Sequence, residues 1–313
     1  MNNTNVPFSE LPTPRDLLRE LAVELESLTP ETRKAAAYVL ENPNDVGVSS
    51  IREIAEAAQV KPNTFVRMAR SVGFEGYDDF REPFREEIRN GRADFPDRAR
   101  WLQSLSKGGK LGGLYADMAA SAIANIEESF ATTDAAHVQA AADMIVQARR
   151  TYVLGVGVNN ALARNFAYLA GMAVDTIEAI PRSGSVAIDD IARAGPDDVL
   201  LAMTFKPYRS EVVDAVEVAR EQGVTIIGIS DSPASPIVAG SDHGFVVQSD
   251  TPQFFPSTVA TVALLETLMA FVIADASPEV IANIEAFHER RHALGIYRED
   301  PSAERAEPKG NGK

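Results

Sequence analysis

The chain has no cysteine, one tryptophan and four histidines among its 313 residues. Without a thiol it can form neither a disulfide nor a thiolate-bound metal site, a usage expected of a cytoplasmic protein. The histidines stand apart from any suitably spaced carboxylates, so no metal site is expected. The opening residues, MNNTNVPFSELPTPRD, lack a basic stretch followed by an apolar one, and no signal peptide is expected. One apolar run, Thr258 to Ala276, has the length of a short membrane span. Glu266 sits at its centre, however, where a carboxylate costs about 3 kcal/mol in a bilayer. A helix buried in a core or a subunit interface is expected instead, and no membrane partner.

What is present is ordinary for globular proteins: 45% hydrophobic and 24% charged residues, in a chain about twice the usual domain size. Two domains are therefore expected. The net charge of −15 does not exclude nucleic acid, because the field that matters is local to the reading surface.

Residues 1–14 are polar and proline-bearing, and are expected to form a flexible arm. Residues 15–90 read as helical throughout. Thr29-Pro30 starts one helix and Asn42-Pro43 ends it, and Ser50 with Glu53 forms a capping box before another. Residues 91–113, rich in glycine and charge, read as a linker. After two amphipathic helices the pattern changes to short β-rich runs alternating with helical ones: TYVLGV, DTIEAI, DVLLAM, TIIGIS and GFVVQ. Strands separated by helices imply a parallel five-stranded sheet with helices on both faces, within a second domain at 114–294. Residues 295–313 are polar and expected to be disordered.

Two segments carry chemistry. In the first, Ile51, Ile54 and Ala55 share one face of a short helix, and Phe65, Met68, Ala69 and Val72 form the apolar stripe of the next. That second helix places Asn63, Thr64, Arg67 and Arg70 on its other face, with Lys61 at its start and no acid among its first ten positions. Such a helix can lie in the major groove of double-stranded DNA, arginine forking to guanine and asparagine to adenine. The pattern S-I-x-E-I-A-x-x-A-x-V…T-F-x-R-x-A-R-x-x-G-F-x-G-Y-x-D-F resembles the helix-turn-helix of the RpiR/MurR regulators over some thirty residues. Members usually have serine where Lys61 stands.

In the second segment, Gly155-Val156-Gly157-Val158-Asn159-Asn160 follows the first β-run and opens a helix. A dinucleotide site would want a third glycine at Asn160, and its ribose-binding acid should end the next strand, whereas Asp175 begins it. No cofactor is expected. A loop over an anion at a helix N-terminus fits better. Three loops leave the carboxyl ends of strands and should meet at one rim: Val158, Asn159 and Asn160; Arg182, Ser183 and Ser185; and Thr204, Lys206, Tyr208, Arg209 and Ser210. Their amides, hydroxyls and cations point to a small anionic effector. Ser257, before the long apolar helix, is a further candidate, or a plain helix cap. Residues 111–293 resemble the sugar isomerase (SIS) domain that accompanies this helix-turn-helix in the same regulators.

The resemblance implies a phosphosugar held by these loops and a homodimer or larger homo-oligomer on an inverted-repeat operator. Typical members carry Ser-x-Ser-Gly-x-Thr in the third loop. Here only Thr204 and Ser210 keep hydroxyls, while Lys206, Tyr208 and Arg209 bring bulk and charge, which widens the expected effector from a sugar phosphate to a sugar acid, similar carboxylate or smaller phosphorylated compound. The alternatives are an aldose–ketose isomerase, with Glu211 or Glu266 as base, and a non-catalytic sugar-binding module. A helix-turn-helix weighs against both, and no enzyme is expected.

Overall fold

The computed structural model describes residues 12–89, 95–107, 109 and 111–296. Residues 1–11 of the expected arm, residues 90–94, 108 and 110 around the expected linker, and the expected tail from 297 lie outside the described residues. By its internal contacts the chain divides into two units. One holds Met1–Ser129 with Gln248–Ala260, the other Phe130–Val247 with Thr261–Lys313.

The first unit is helical: α1 Pro14–Glu24, α2 Pro30–Glu41, α3 Pro43–Val48, α4 Ile51–Ala57, α5 Pro62–Ser71, α6 Tyr77–Arg89, α7 Phe95–Lys107 and most of α8 Leu111–Ala131. Local chemistry sets the starts. Thr13 and Thr29 cap α1 and α2 ahead of a proline at the first helical position. Both halves of the capping box form: Glu53 N–H donates to Ser50 Oγ at 3.3 Å, and Ser50 N–H to Glu53 Oε2 at 2.8 Å. Asn42 ends α2 as expected, but Pro43 then starts α3. Leu17, Leu21, Val39, Ile54, Phe65, Met68 and Phe80 form one core, with Phe65 and Tyr77 edge to face at 5.4 Å. The segment read as a linker contains α7, whose Trp101 is buried with Val48 and Ile88. Its glycines and charges hid a helical spacing of Trp101, Leu102 and Leu105.

The second unit runs α9 Ala135–Gln147, β1 Arg150–Gly155, α10 Val158–Ala170, β2 Ile177–Ile180, α11 Ala187–Ile191, β3 Asp198–Met203, α12 Ser210–Glu221, β4 Thr225–Ser230, β5 His243–Val246, α13 Val259–Ala274 and α14 Pro278–Ala293. The five strands pair in parallel in the order β2-β1-β3-β4-β5. Every residue of β3 is buried, as expected of a central parallel strand covered by helices on both faces. In this order β1 lies between β2 and β3, so the connections leaving β1 and β3 diverge and open a crevice at their carboxyl ends. Gly155 is required there. A Cβ on it would lie 2.2 Å from the carbonyl oxygen of Asn159 in the first turn of α10.

The apolar run resolves into α13, with Leu264, Leu265, Leu268 and Val272 buried and Glu266 exposed. Among the described residues no single helix is long and apolar enough to cross a membrane.

Candidate DNA-reading face and effector site

α4 and α5 form a helix pair joined by a tight turn. Ala58 closes α4, Gln59 adopts a left-handed φ of 55°, and Val60 N–H bonds back to the Ala55 carbonyl at 2.9 Å. On α5, Phe65, Met68 and Ala69 face the core, while Lys61, Asn63, Arg67 and Arg70 are exposed. Thr64 corrects the sequence reading. It is only 2% exposed and belongs to the inner stripe, because it precedes Phe65 and sits one turn before Met68. Its hydroxyl accepts a bond from Arg67 Nη2 at 3.4 Å. Arg70 Nε donates to the Glu75 carbonyl at 3.0 Å. Lys61 occupies the N-cap of α5 and makes no side-chain cap, as a cation in place of a hydroxyl must. Both arginines bond to neutral oxygens, a hydroxyl and a carbonyl, so each keeps its charge for an outside partner.

The three loops after β1, β2 and β3 lie at one edge of the sheet, since the strands are parallel. At the switch point the N-termini of α10 and α12 have Gly157 and Arg209 as caps, neither giving a side-chain cap bond. Gly157 has a φ of 65°, and nothing stands within 4 Å of where its Cβ would be. Asn159 links the two sides. It is 5% exposed, its Nδ2 donates to the Met203 carbonyl at 3.4 Å, and its Oδ1 is buried without a partner. Asn160 turns inward instead, donating to the Gly155 carbonyl at 3.1 Å and accepting from Arg164 at 2.8 Å. Val158 and Ser183 are exposed.

Several residues expected to greet a ligand are already bonded. Arg182 and Ser185 both bind the buried Asp190 carboxylate, Arg182 through its backbone N–H at 2.7 Å and its guanidinium at 2.8 Å, Ser185 at 2.9 Å. Burial pushes the Asp190 pKa up, but these donors outweigh it and hold the group below the usual carboxylate range. Arg209 pairs with Glu211 at 2.6 Å. Thr204 is buried, and its Oγ1 accepts the Arg209 backbone N–H at 3.0 Å, pinning the third loop. The Tyr208 hydroxyl is pushed up in pKa by burial and then by the neighbouring Asp231, so it faces the loop after β4. Lys206 and Ser210 are exposed. Ser257 belongs to the 248–260 segment of the first unit, where its Oγ accepts the Val259 N–H, two residues on, at 3.4 Å. Asp190, Glu211 and Asp231 were missed as partners. Each lies within the same or the next βα connection as the residue it binds, which was the available signal.

The arrangement defines a helix-turn-helix protein with a second unit built on a five-stranded parallel sheet. Comparison with known proteins is consistent with it: the model of the helix-turn-helix domain of the rpiR family matches residues 15–91, and the SIS domain model matches residues 144–274. The chain is 23% identical over 255 residues to the HTH-type transcriptional regulator HexR of Pseudomonas aeruginosa, covering 80% of this chain and 86% of that protein. Its fold is similar to that of the Vibrio vulnificus NanR protein complexed with ManNAc-6P, at a TM-score of 0.53 and 21% identity, covering 90% and 100% of the two chains. It is also similar to the sugar isomerase domain of an RpiR transcription factor from Sphaerobacter thermophilus, with a TM-score of 0.53, 22% identity, and 56% and 98% coverage. The chain is a transcriptional regulator of the RpiR family, with an N-terminal helix-turn-helix and a C-terminal SIS domain.

Proposed function

We propose that the chain reads an inverted-repeat operator through Lys61, Asn63, Arg67 and Arg70 of residues 15–90. We assign to residues 114–294 the sensing of a small anionic metabolite that changes its operator affinity, with 91–113 joining the two. The observation that carries the sensor assignment is Asn159. Its buried, unpartnered Oδ1 sits where the two side-chain-uncapped helix N-termini flank the crevice between β1 and β3. Backbone N–H groups at helix starts attract an anion, and the Asn159 acceptor suits a hydroxyl beside it.

A hydroxylated anion, a sugar phosphate or sugar acid, meets both demands. The NanR relative's complex with ManNAc-6P supports that class. Lys206, exposed beside α12, supplies the side-chain charge, and Arg209 joins it by exchanging Glu211 for the ligand. Arg182 and Ser185 act by shaping their loop through Asp190 rather than by touching the effector.

Binding rather than catalysis is the reading for this site. The buried acid at this rim, Asp190, is engaged by Arg182 and Ser185 and held below the usual carboxylate range, whereas a general base needs a free group with a pKa near the working pH. His243 opens β5 and so stands at the opposite edge of the sheet. The protein is assigned to the cytoplasm, as a homodimer whose two reading heads meet the two half-sites. Its interface uses α8, which exposes Leu111, Tyr115 and Ile123, rather than α13, whose leucines are buried in their own unit.

The test is a thermal-shift screen of the full chain against sugar phosphates, sugar acids and simple carboxylates, followed by operator binding with each hit. At least one hydroxylated anion should raise the melting temperature and alter operator affinity, and Lys206→Ala should blunt both effects. A screen in which no anion does either would overturn the sensor reading.

A further inference from the structure

The helical unit contains a second place suited to an anion, away from the sensor rim and independent of the reading given for it. A cleft of about 510 Å³ lies between the start of α4, α6 and α7. That is the size of a small-molecule site, for which roughly 300–1,000 Å³ is usual. Its wall carries three guanidinium groups, Arg81 and Arg85 from α6 and Arg100 from α7, with Ser49, Ser50 and Gln103 as neutral polar neighbours.

Two carboxylates also line it, and both are already bonded. Asp45 accepts the Tyr38 hydroxyl at 2.6 Å, and Glu53 accepts the Ser50 N–H at 2.8 Å in the capping box. The bond to Asp45 is what raises the Tyr38 pKa to about 12.

Arg81 distinguishes this cleft from an ordinary charged groove. It is 9% exposed, and its Nε is buried without a hydrogen-bond partner. Its ion pair with Asp78 is long, 3.6 Å, and reaches only Nη1. Arg85 likewise meets Glu82 at 3.7 Å through Nη1. Burying a guanidinium N–H with no acceptor is costly, and an oxyanion would remove that cost by accepting from two arginines at once. Ser49 and Ser50 sit at the start of α4, the helix that packs behind the reading helix α5.

We infer that this cleft binds a phosphate group, carried by a small metabolite, and so forms a second ligand site in the DNA-binding unit. The phosphate accepts from Arg81 Nε and from Arg85, with Arg100 closing the third side. It ties the start of α4 to α6 and α7, and so sets the pose of the α4–α5 pair.

Isothermal titration of the full chain with inorganic phosphate, in the absence of DNA, tests this. One phosphate equivalent should be weakened roughly tenfold or more by Arg85→Gln, a loss of about 1.4 kcal/mol, and left unchanged by Lys206→Ala at the sensor rim. Arg81→Gln should abolish that equivalent. If that variant melts early, Arg100→Gln with Arg85→Gln carries the test, since both side chains are partly exposed. Phosphate binding identical to wild type in the Arg85 and Arg100 variants would overturn the inference. A duplex backbone offers the same phosphate chemistry, and salt-dependent operator binding separates the two sources. If no equivalent binds without DNA, while the variants weaken every duplex alike and flatten the salt dependence, the cleft is a backbone contact and the metabolite site is refuted.

Discussion

The proposed reading face of α5 and the rim of the sheet use arginine in opposite ways. On α5, Arg67 and Arg70 lean on a hydroxyl and a carbonyl, neutral acceptors that leave the positive charge uncompensated. At the rim, Arg182 and Arg209 are each held by a carboxylate, Asp190 or Glu211. The first surface offers charge to whatever approaches. At the second most of it is taken up in fixing loop shape, so that in the proposed site an anion is met by helix N-termini and Lys206. A count of cations in the sequence makes the two surfaces look alike, and only their partners tell them apart.

The contrast can be broken most severely at Gly155. A methyl there collides with the Asn159 carbonyl, a backbone atom that cannot move without displacing α10. Gly155→Ala should destabilise the sheet unit by about 3 kcal/mol, while operator binding by the helical unit survives. Differential scanning calorimetry alongside an operator assay checks both halves. Equal loss in the two would mean that the units do not stand apart energetically.

On the reading face, Arg67→Ala should cost about 1–3 kcal/mol of operator affinity and relax preference at one base pair. Arg70→Ala should cost about 1 kcal/mol on every sequence and lower the salt slope by about one. Thr64→Val, by contrast, should change operator affinity by far less than either, because the side chain is buried and meets Arg67 only through a long 3.4 Å bond. Fluorescence anisotropy across a salt series separates the three.

Much of this was legible in the sequence, for identifiable reasons. Ser50 and Glu53 fixed the start of α4 because capping is local chemistry, and the unbroken apolar run of β3 marked a buried parallel strand. The inward turn of Thr64 was not legible. A hydroxyl at the edge of an apolar stripe fits either face until the neighbouring helices are placed. The Arg182–Asp190 and Arg209–Glu211 pairs were hidden because a loop's conformation decides which neighbour a flexible guanidinium reaches. α7 was lost to the glycines and charges around it, although Trp101 alone should have argued for a packed segment.

A milder difference lies in pH response. His243, its ring tilted against that of His137 with centroids 5.3 Å apart, has its pKa lowered below 6.5 by burial and then by His137, with Asp242 opposing. The fold therefore favours neutral His243. Its contribution to stability is present above pH 6.5, begins to fall as the unfolded chain takes up the proton below that value, and is gone below the depressed folded pKa. Melting of the sheet unit should drop on acidification from neutral pH, and His243→Gln should flatten that drop. A wild-type profile without the drop would argue against the pair.

A small change in stability is expected at Gln59, in the turn between α4 and α5. Its φ of 55° places an L-residue in the left-handed region, where the side chain crowds the backbone. The turn is held there by the Val60 to Ala55 bond at 2.9 Å and the Gln59 to Glu56 bond at 3.0 Å, so the chain cannot relax. Glycine at this position removes the crowding, worth about 1–2 kcal/mol. It also loosens the unfolded chain, which returns about 0.4–1 kcal/mol. Gln59→Gly should therefore stabilise the helical unit by about 0.5–1 kcal/mol. Operator affinity should stay the same, because Gln59 is exposed and outside the Asn63–Arg67–Arg70 stripe. Urea denaturation with an operator titration measures both quantities. A destabilised variant would mean that the glutamine side chain makes a contact outweighing the strain. A stabilised variant with altered affinity would place the turn itself against the DNA backbone.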